Sequence, residues 1–331
     1  MTDNGALGWR AIELGDVPEW AVMLDAVAKT ESDPRYYGEQ DLRELFGYPD
    51  SDFAGGSIAA FDEDAMVACA FLITRPFGER AHAMRLNGAV HPRYRRRGLG
   101  GRLLDWAEQA AIPLHERRHP GRALTLQAHG APGNAGEQAL FAAHGYRPVR
   151  WWNTMRMDLS AQSSSRSPAG VTPAPDGVEI EVFTPDRSEA ARQVRNEAFQ
   201  DHWGSTESSA ESWAHIVAQE SFRPEFSYVA YADGQAIGVV LSYEHEAATK
   251  ATGSRDLYIG IVGTRRAGRN RGIASAMLSR ALAAGRAAGL DTTSLLVDGD
   301  SLTGAVGLYE RIGYSVEYTA TTQAKDLITA G

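Results

Sequence analysis

The chain has 331 residues, 43% hydrophobic and 23% charged, a composition that excludes disorder and fibrous folds and supplies enough apolar material for two cores. Its formal net charge of -9 opposes phosphate-driven binding to nucleic acid or to an anionic membrane surface, so any anion site must be local, and no stretch of about 18 apolar residues is present to span a bilayer. The single cysteine, Cys69, lies in the apolar run AMVACAFLI and reads as a small buried residue, which leaves no disulfide framework within the chain. The start MTDNGALGWR has no basic segment followed by an apolar one, so a cytoplasmic location is expected.

In chain order, a helical pattern around Trp20 to Lys29 comes first, followed by SIAAFDEDAMVACAFLI, two strand-like runs around an acidic turn. A third strand, RLNGAV ending at Val90, enters the Arg/Gly-rich turn VHPRYRRRGLGG, and a helix begins near Leu99 with Leu103, Leu104, Ala107 and Ala110 at helical spacing. The strand ALTLQA and a short helix ending at His144-Gly145-Tyr146 complete the half. The stretch SAQSSSRSPAGVTPAPDG, 160 to 177, is rich in Ser, Pro and Ala without apolar periodicity and reads as a linker between domains 1–159 and 178–331.

The second half repeats the order: a helical pattern over Ser188 to Phe199, a hairpin FSYVAYADGQAIGVVLSY, and a strand DLYIGIV ending at Val262. The turn VGTRRAGRNRGIAS, a helix from Ile273 with Met277, Leu278, Ala281 and Leu282 on one face, the strand TTSLLVD and a short helix ending at Ile312-Gly313-Tyr314 follow. Arg95 and Arg269 are 174 residues apart and Phe141 and Tyr309 are 168 apart, an offset constant enough to indicate a duplication.

Each turn carries one spelling: Arg95-Arg96-Arg97-Gly98-Leu99-Gly100 and Arg269-Asn270-Arg271-Gly272-Ile273-Ala274. A turn entering a helix presents unpaired N–H groups and the positive end of the helix dipole, small residues let a pyrophosphate approach the backbone, and arginines add charge-assisted hydrogen bonds. The patterns of a Walker nucleotide site and of a dinucleotide-binding first strand are both missing.

At these residues the chain resembles the GNAT family of N-acetyltransferases, as two tandem domains covering essentially its whole length. The resemblance implies an α/β fold in each half, a mostly antiparallel sheet flanked by helices. It implies acetyl-CoA as co-substrate with no metal, its pyrophosphate on Arg95 to Gly100 and on Arg269 to Ala274. Backbone groups of Ala89-Val90 and Ile261-Val262 would hold the pantetheine arm and the acetyl carbonyl. The segment DSLTGAVGLYERIGY resembles the later family segment, which puts Tyr309 where a tyrosine protonates the departing thiolate and Ser301 where a polar residue meets the pantetheine. A phenol of pKa about 10 can donate to a thiolate whose thiol has pKa about 8.5 if held beside it. In the first half Phe141 stands at the matching place, with Asn134 nearby, so that half either binds acyl-CoA without catalysing transfer or serves as structure.

The expected reaction is direct attack by a primary amine of a small molecule in a ternary complex, catalysed by residues 178–331. Candidate bases are Glu244, Glu246, His245 and Asp256, with a water chain as the alternative. Strand alternation would put Glu244 and Glu246 on one face. Aromatic and histidine residues of the segment from Asn196 to Ser227, among them Phe199, His202, Trp203, Trp213, His215, Phe222 and Phe226, could line an acceptor pocket, although packing explains most of them; the paired Trp151 and Trp152 read as packing or as a cleft floor. Other readings are a non-catalytic acyl-CoA sensor and an acetyltransferase acting on protein N-termini or lysines. A monomer or homodimer is expected, with no nucleic acid or membrane partner.

Overall fold

The computed structural model describes residues 7–31, 35–49, 51–74, 82–159, 171–200, 202–300 and 304–329. In the first half the elements are β1 (Gly8–Arg10), α1 (Val17–Ala28), α2 (Glu39–Phe46), α3 (Phe53–Gly56), β2 (Ser57–Asp62), β3 (Ala65–Thr74), β4 (His82–Val90), α4 (Leu99–Arg118), β5 (Leu124–Gly130), α5 (Ala135–Ala143) and β6 (Arg147–Asp158). The second half gives β7 (Val178–Val182), α6 (Ser188–Ala198), α7 (Ala210–Ala218), β8 (Tyr228–Ala232), β9 (Gln235–Tyr243), α8 (Glu246–Thr252), β10 (Asp256–Thr264), α9 (Ile273–Ala287), β11 (Thr292–Asp298), α10 (Ala305–Ile312) and β12 (Ser315–Ile328).

The chain forms two compact units, residues 1–151 with 320–331, and residues 152–319. In the first, strands run β1-β2-β3-β4-β5-β12, and in the second β7-β8-β9-β10-β11-β6. Every pairing within these rows is antiparallel except β4 with β5 and β10 with β11. The unit boundaries fall inside β6 and β12 rather than in the linker, because the final strand of each half pairs in the other unit. Met155 of β6 lies opposite Leu295 of β11, and Gln323 of β12 lies opposite Ala128 of β5.

Central strands are apolar on both faces because helices cover both. In the first unit α4 packs Leu103, Leu104 and Ala107 onto one side of the sheet, and α1 and α2 place Trp20, Met23 and Leu42 on the other. Cys69 of β3 is buried among these residues, and burial pushes its thiol up to about 12, away from any nucleophilic role. In the second unit α9 lays Met277, Leu278, Ala281 and Leu282 on one face, as their spacing predicted, while Ala191 and Val194 of α6 and Trp213 of α7 cover the other. Among the described residues, no helix is long and apolar enough to cross a membrane.

Candidate active site

Both turns adopt the same backbone path. After the strand and one turn of 3-10 helix, Arg96 has φ 62° and Gly98 φ 82°, and Asn270 and Gly272 repeat these with 61° and 81°. Two left-handed residues separated by one of ordinary conformation turn successive N–H groups toward one side, a nest for an anion. Gly98 and Gly272 are the N-caps of α4 and α9, and no side chain caps either helix, so the first-turn N–H groups remain for a ligand. A Cβ built on either glycine would meet nothing within 4 Å, so the conformation alone, and not crowding, selects glycine there.

The turn residues divide by role. Leu99 and Ile273 are buried, so only their backbone can face a phosphate, and Gly100 and Ala274 follow in the first helical turn. The Nε of Arg95 lies 3.3 Å from the Val90 carbonyl and its terminal nitrogen 2.7 Å from Glu31. Arg269 repeats this with the carbonyls of Thr264, 3.4 Å, and Ala198, 3.1 Å. Arg95 therefore ties the turn to the strand end and to the segment after α1, and Arg269 ties it to the strand end and to the last residue of α6. Arg97 stacks over Tyr94, and Arg271 reaches the carbonyl of Asp176. Register pairs Val90 with Ala68 and Thr264 with Gly238, so Thr264 matches Val90; Ile261-Val262, expected to do so, lies two residues earlier, and β10 extends past its predicted end at Val262.

Between turn and sheet lies a gap. The ladder of β4 with β5 runs from His82–Leu124 and ends at Leu86–Ala128, and that of β10 with β11 runs from Asp256–Thr292 and ends at Ile259–Leu295. Beyond those pairs the strands part. The inner edges of Asn87 to Val90, including Ala89, and of Gly260 to Thr264 then offer unpaired main-chain groups to an extended ligand, much as a sheet edge accepts a peptide. Strand β10 also bulges at Gly260, whereas the register of β4 against β3 is unbroken. A Cβ on Gly260 would stand 2.6 Å from the Tyr243 ring, so the bulge requires glycine.

Tyr309 of α10 is buried against the same core as Ile259 and Val262, with its ring 5.9 Å from that of Tyr314. Among the described residues its hydroxyl has no hydrogen-bond partner. Burial, with a smaller contribution from the Tyr258 phenol, raises its pKa, which keeps the proton on the oxygen. Phe141 occupies the same place in the first unit, 5.5 Å from Tyr146, and the backbone bonds from Tyr146 to Phe141 and from Tyr314 to Tyr309 match. Asn134 caps α5 by accepting from the Glu137 amide, and Ser301 lies outside the described residues.

The predicted bases each hold their own partners. Strand β9 ends at Tyr243, so Glu244 and Glu246 do not share a strand face. Glu244 accepts from Arg255 at 2.6 and 3.1 Å and from Arg223 at 3.3 Å, and the Arg255 hydrogen bond holds its carboxyl below the usual range. Glu246 opens the Ala-rich α8, exposed and paired with Lys250 at 2.8 Å. Asp256 is bound by Arg156 at 2.9 Å, by Thr292 at 2.6 Å and by Ser294. The His245 ring lies 6.0 Å from that of Tyr258. Trp213, Phe222 and Phe226 are core residues, while Phe199, His202 and Trp203 stay half-buried near the end of β10. Spacing gave no sign of the arginine partners: Arg223 and Arg255 come from the segments leading into β8 and β10, and Arg156 from β6.

Residues 189–314 match the acetyltransferase (GNAT) family and residues 54–148 an acetyltransferase (GNAT) domain. A mycothiol acetyltransferase of Thermobispora bispora is 30% identical over 312 residues, 92% of this chain and 95% of that protein. Another, of Cellulomonas flavigena, is 34% identical over 233 residues, 68% of this chain and 62% of its own length. The crystal structure of a GCN5-related N-acetyltransferase from Sphaerobacter thermophilus superposes with a TM-score of 0.76 at 26% identity, covering 98% of this chain and 97% of that one. With its two repeated strand, turn and helix sites, the chain belongs to the GNAT family of acetyltransferases, in tandem form.

Proposed function

We propose that the second unit transfers the acetyl group of acetyl-CoA to a primary amine of a small molecule by direct attack in a ternary complex. The observation that carries this is the conjunction, in one unit, of the uncapped turn at Gly272, the opening between β10 and β11, and the buried Tyr309. On this reading the pyrophosphate lies on Arg269 to Ala274, and the pantetheine arm follows the inner edge of β10. N–H groups beyond the Gly260 bulge hold the oxyanion, and Tyr309 gives its proton to the thiolate as the amide forms. Most of the acceleration then comes from positioning and from fixed donors aimed at the developing charge. The ion-paired Glu244 is a poor base, so the ammonium loses its proton through water. The relatives' name favours a small-molecule acceptor over a protein one.

The first unit fits a second reading, acyl-CoA binding without transfer, because it repeats the uncapped turn at Gly98 while Phe141 has no proton to give. Calorimetric titration of acetyl-CoA into the full chain and into Gly98→Glu and Gly272→Glu variants tests both. Two sites, each abolished by its own substitution, with turnover lost only in Gly272→Glu, are expected. Absence of acetyl-CoA binding at Gly272 overturns the proposal.

A further inference from the structure

Resting on the reading that the first unit binds acyl-CoA without transfer, we propose that Glu137 is a ligand-binding acid of that unit, which takes up a proton as acyl-CoA binds and donates it in a hydrogen bond to a carbonyl of the pantetheine arm. The ladder of β4 with β5 ends at Leu86–Ala128, and three residues further on the Ala131 amide donates to Oε2 of Glu137 at 2.7 Å. The Ala131 carbonyl accepts from Gln138 at 3.1 Å and the Glu137 amide donates to Asn134 at 3.1 Å, so the first turn of α5 fixes this carboxyl beyond the end of β5, where the strands have parted. That turn also adjoins the turn at Gly98, because a Cβ on Gly136 would stand 3.7 Å from Arg96. Glu137 lies one helical turn before Phe141 and shares its face. Phe141 is buried with Leu86, Leu99 and Ala128, against which Val90 packs, so this face looks toward the end of the β4–β5 ladder. Four residues before Tyr309 the second unit has Ala305, and no carboxyl stands at that place.

Burial pushes the Glu137 carboxyl up to about 7; the Ala131 amide, Arg35 and Arg95 oppose the rise and Glu31 adds to it. The charged groups around it are engaged with one another. Arg95 pairs with Glu31 at 2.7 Å, and Arg35 donates at 2.7 Å to His129 of β5, a ring that burial holds neutral with a pKa of about 3. Among the described residues, Oε1 of Glu137 takes part in no hydrogen bond. A ligand arm threaded between the strands removes water from that oxygen, which favours the neutral acid, and only the neutral acid has a proton to donate to a carbonyl. Near pH 7 about half of the carboxyl is already protonated, so binding takes up about half a proton there and approaches about one at higher pH. Affinity then falls about tenfold for each pH unit on the alkaline side, until the raised pKa of the complex is passed.

Calorimetric titration of acetyl-CoA into the full chain carrying Gly272→Glu, which leaves the first site, tests this between about pH 7 and 9, with and without Glu137→Gln. The phosphates of acetyl-CoA titrate near pH about 6, below this window. With Glu137 present the dissociation constant is expected to rise about tenfold from about pH 8 to 9, and in Glu137→Gln, whose amide donates at every pH, to change less than about twofold. Heats of binding at about pH 8 in HEPES and in Tris, whose ionisation enthalpies differ, should report uptake of about one proton, a count that needs no change at Glu137. Equal pH dependence in the two proteins, or no proton uptake, overturns the role of Glu137 alone. Absence of acetyl-CoA binding in the Gly272→Glu chain overturns the first-unit reading and this inference together.

Discussion

Burial acts on Tyr309 in two ways: it removes competing water from the hydroxyl and raises the pKa that would otherwise lie near about 10. Tyr309→Phe is expected to cut kcat by roughly 10²-fold while acetyl-CoA affinity, measured by calorimetry, is kept. Since the phenol keeps its proton below its raised pKa, Tyr309 ionisation should cause no alkaline loss of rate below about pH 10. A decline that begins lower and persists in Tyr309→Phe belongs to another group. Glu244 behaves differently, being a carboxylate whose folded pKa is lowered by Arg255. Its contribution to stability is full above the unfolded value near about 4.3, and is lost as pH falls through the lower folded value. Because Arg255 is 42% exposed, Glu244→Gln should cost only about 1–2 kcal/mol in chemical denaturation at pH 7 and little in kcat. A large fall in kcat with unchanged stability would return Glu244 to the role of base.

At the scale of elements, the turn into α9 and the bulge of β10 make separable contributions. Gly272→Ala places a side chain at φ 81°, which should cost about 1–2 kcal/mol in thermal unfolding, and Gly98→Ala should cost as much; only the change at Gly272 should also raise the KM for acetyl-CoA. Gly260→Ala drives a methyl into the Tyr243 ring and should cost about 1–3 kcal/mol of stability, with a further loss of kcat as β10 shifts beside Tyr309. The turns were legible in the sequence because a nest, a helix start and an apolar helix face are all encoded within about 20 residues. The bulge was not, because Gly260 reads as one more small residue until its register against Ser242 and Leu241 is known.

For the whole molecule, the exchange of final strands makes each unit depend on residues remote in sequence. Deletion of Ala320–Gly331 removes the β12 partner of β5 together with the Lys325–Glu108 and Arg147–Asp326 pairs. Hydrogen exchange should then show lost protection across Leu124–Gly130, although the deleted residues lie at the other end of the chain. Undiminished protection there would mean that the β5–β12 ladder is dispensable. The sequence by itself determined the duplication, the order of elements, the two glycine turns into α4 and α9 and the contrast between Tyr309 and Phe141, since each depends on local pattern or on comparing one half with the other. Only the tertiary structure decided the partners of Glu244 and Asp256, the placing of Trp152 beside His202, and the exchange of β6 and β12. Those depend on which segments meet, a choice made by strand register and the burial of whole faces, to which no local spacing is sensitive.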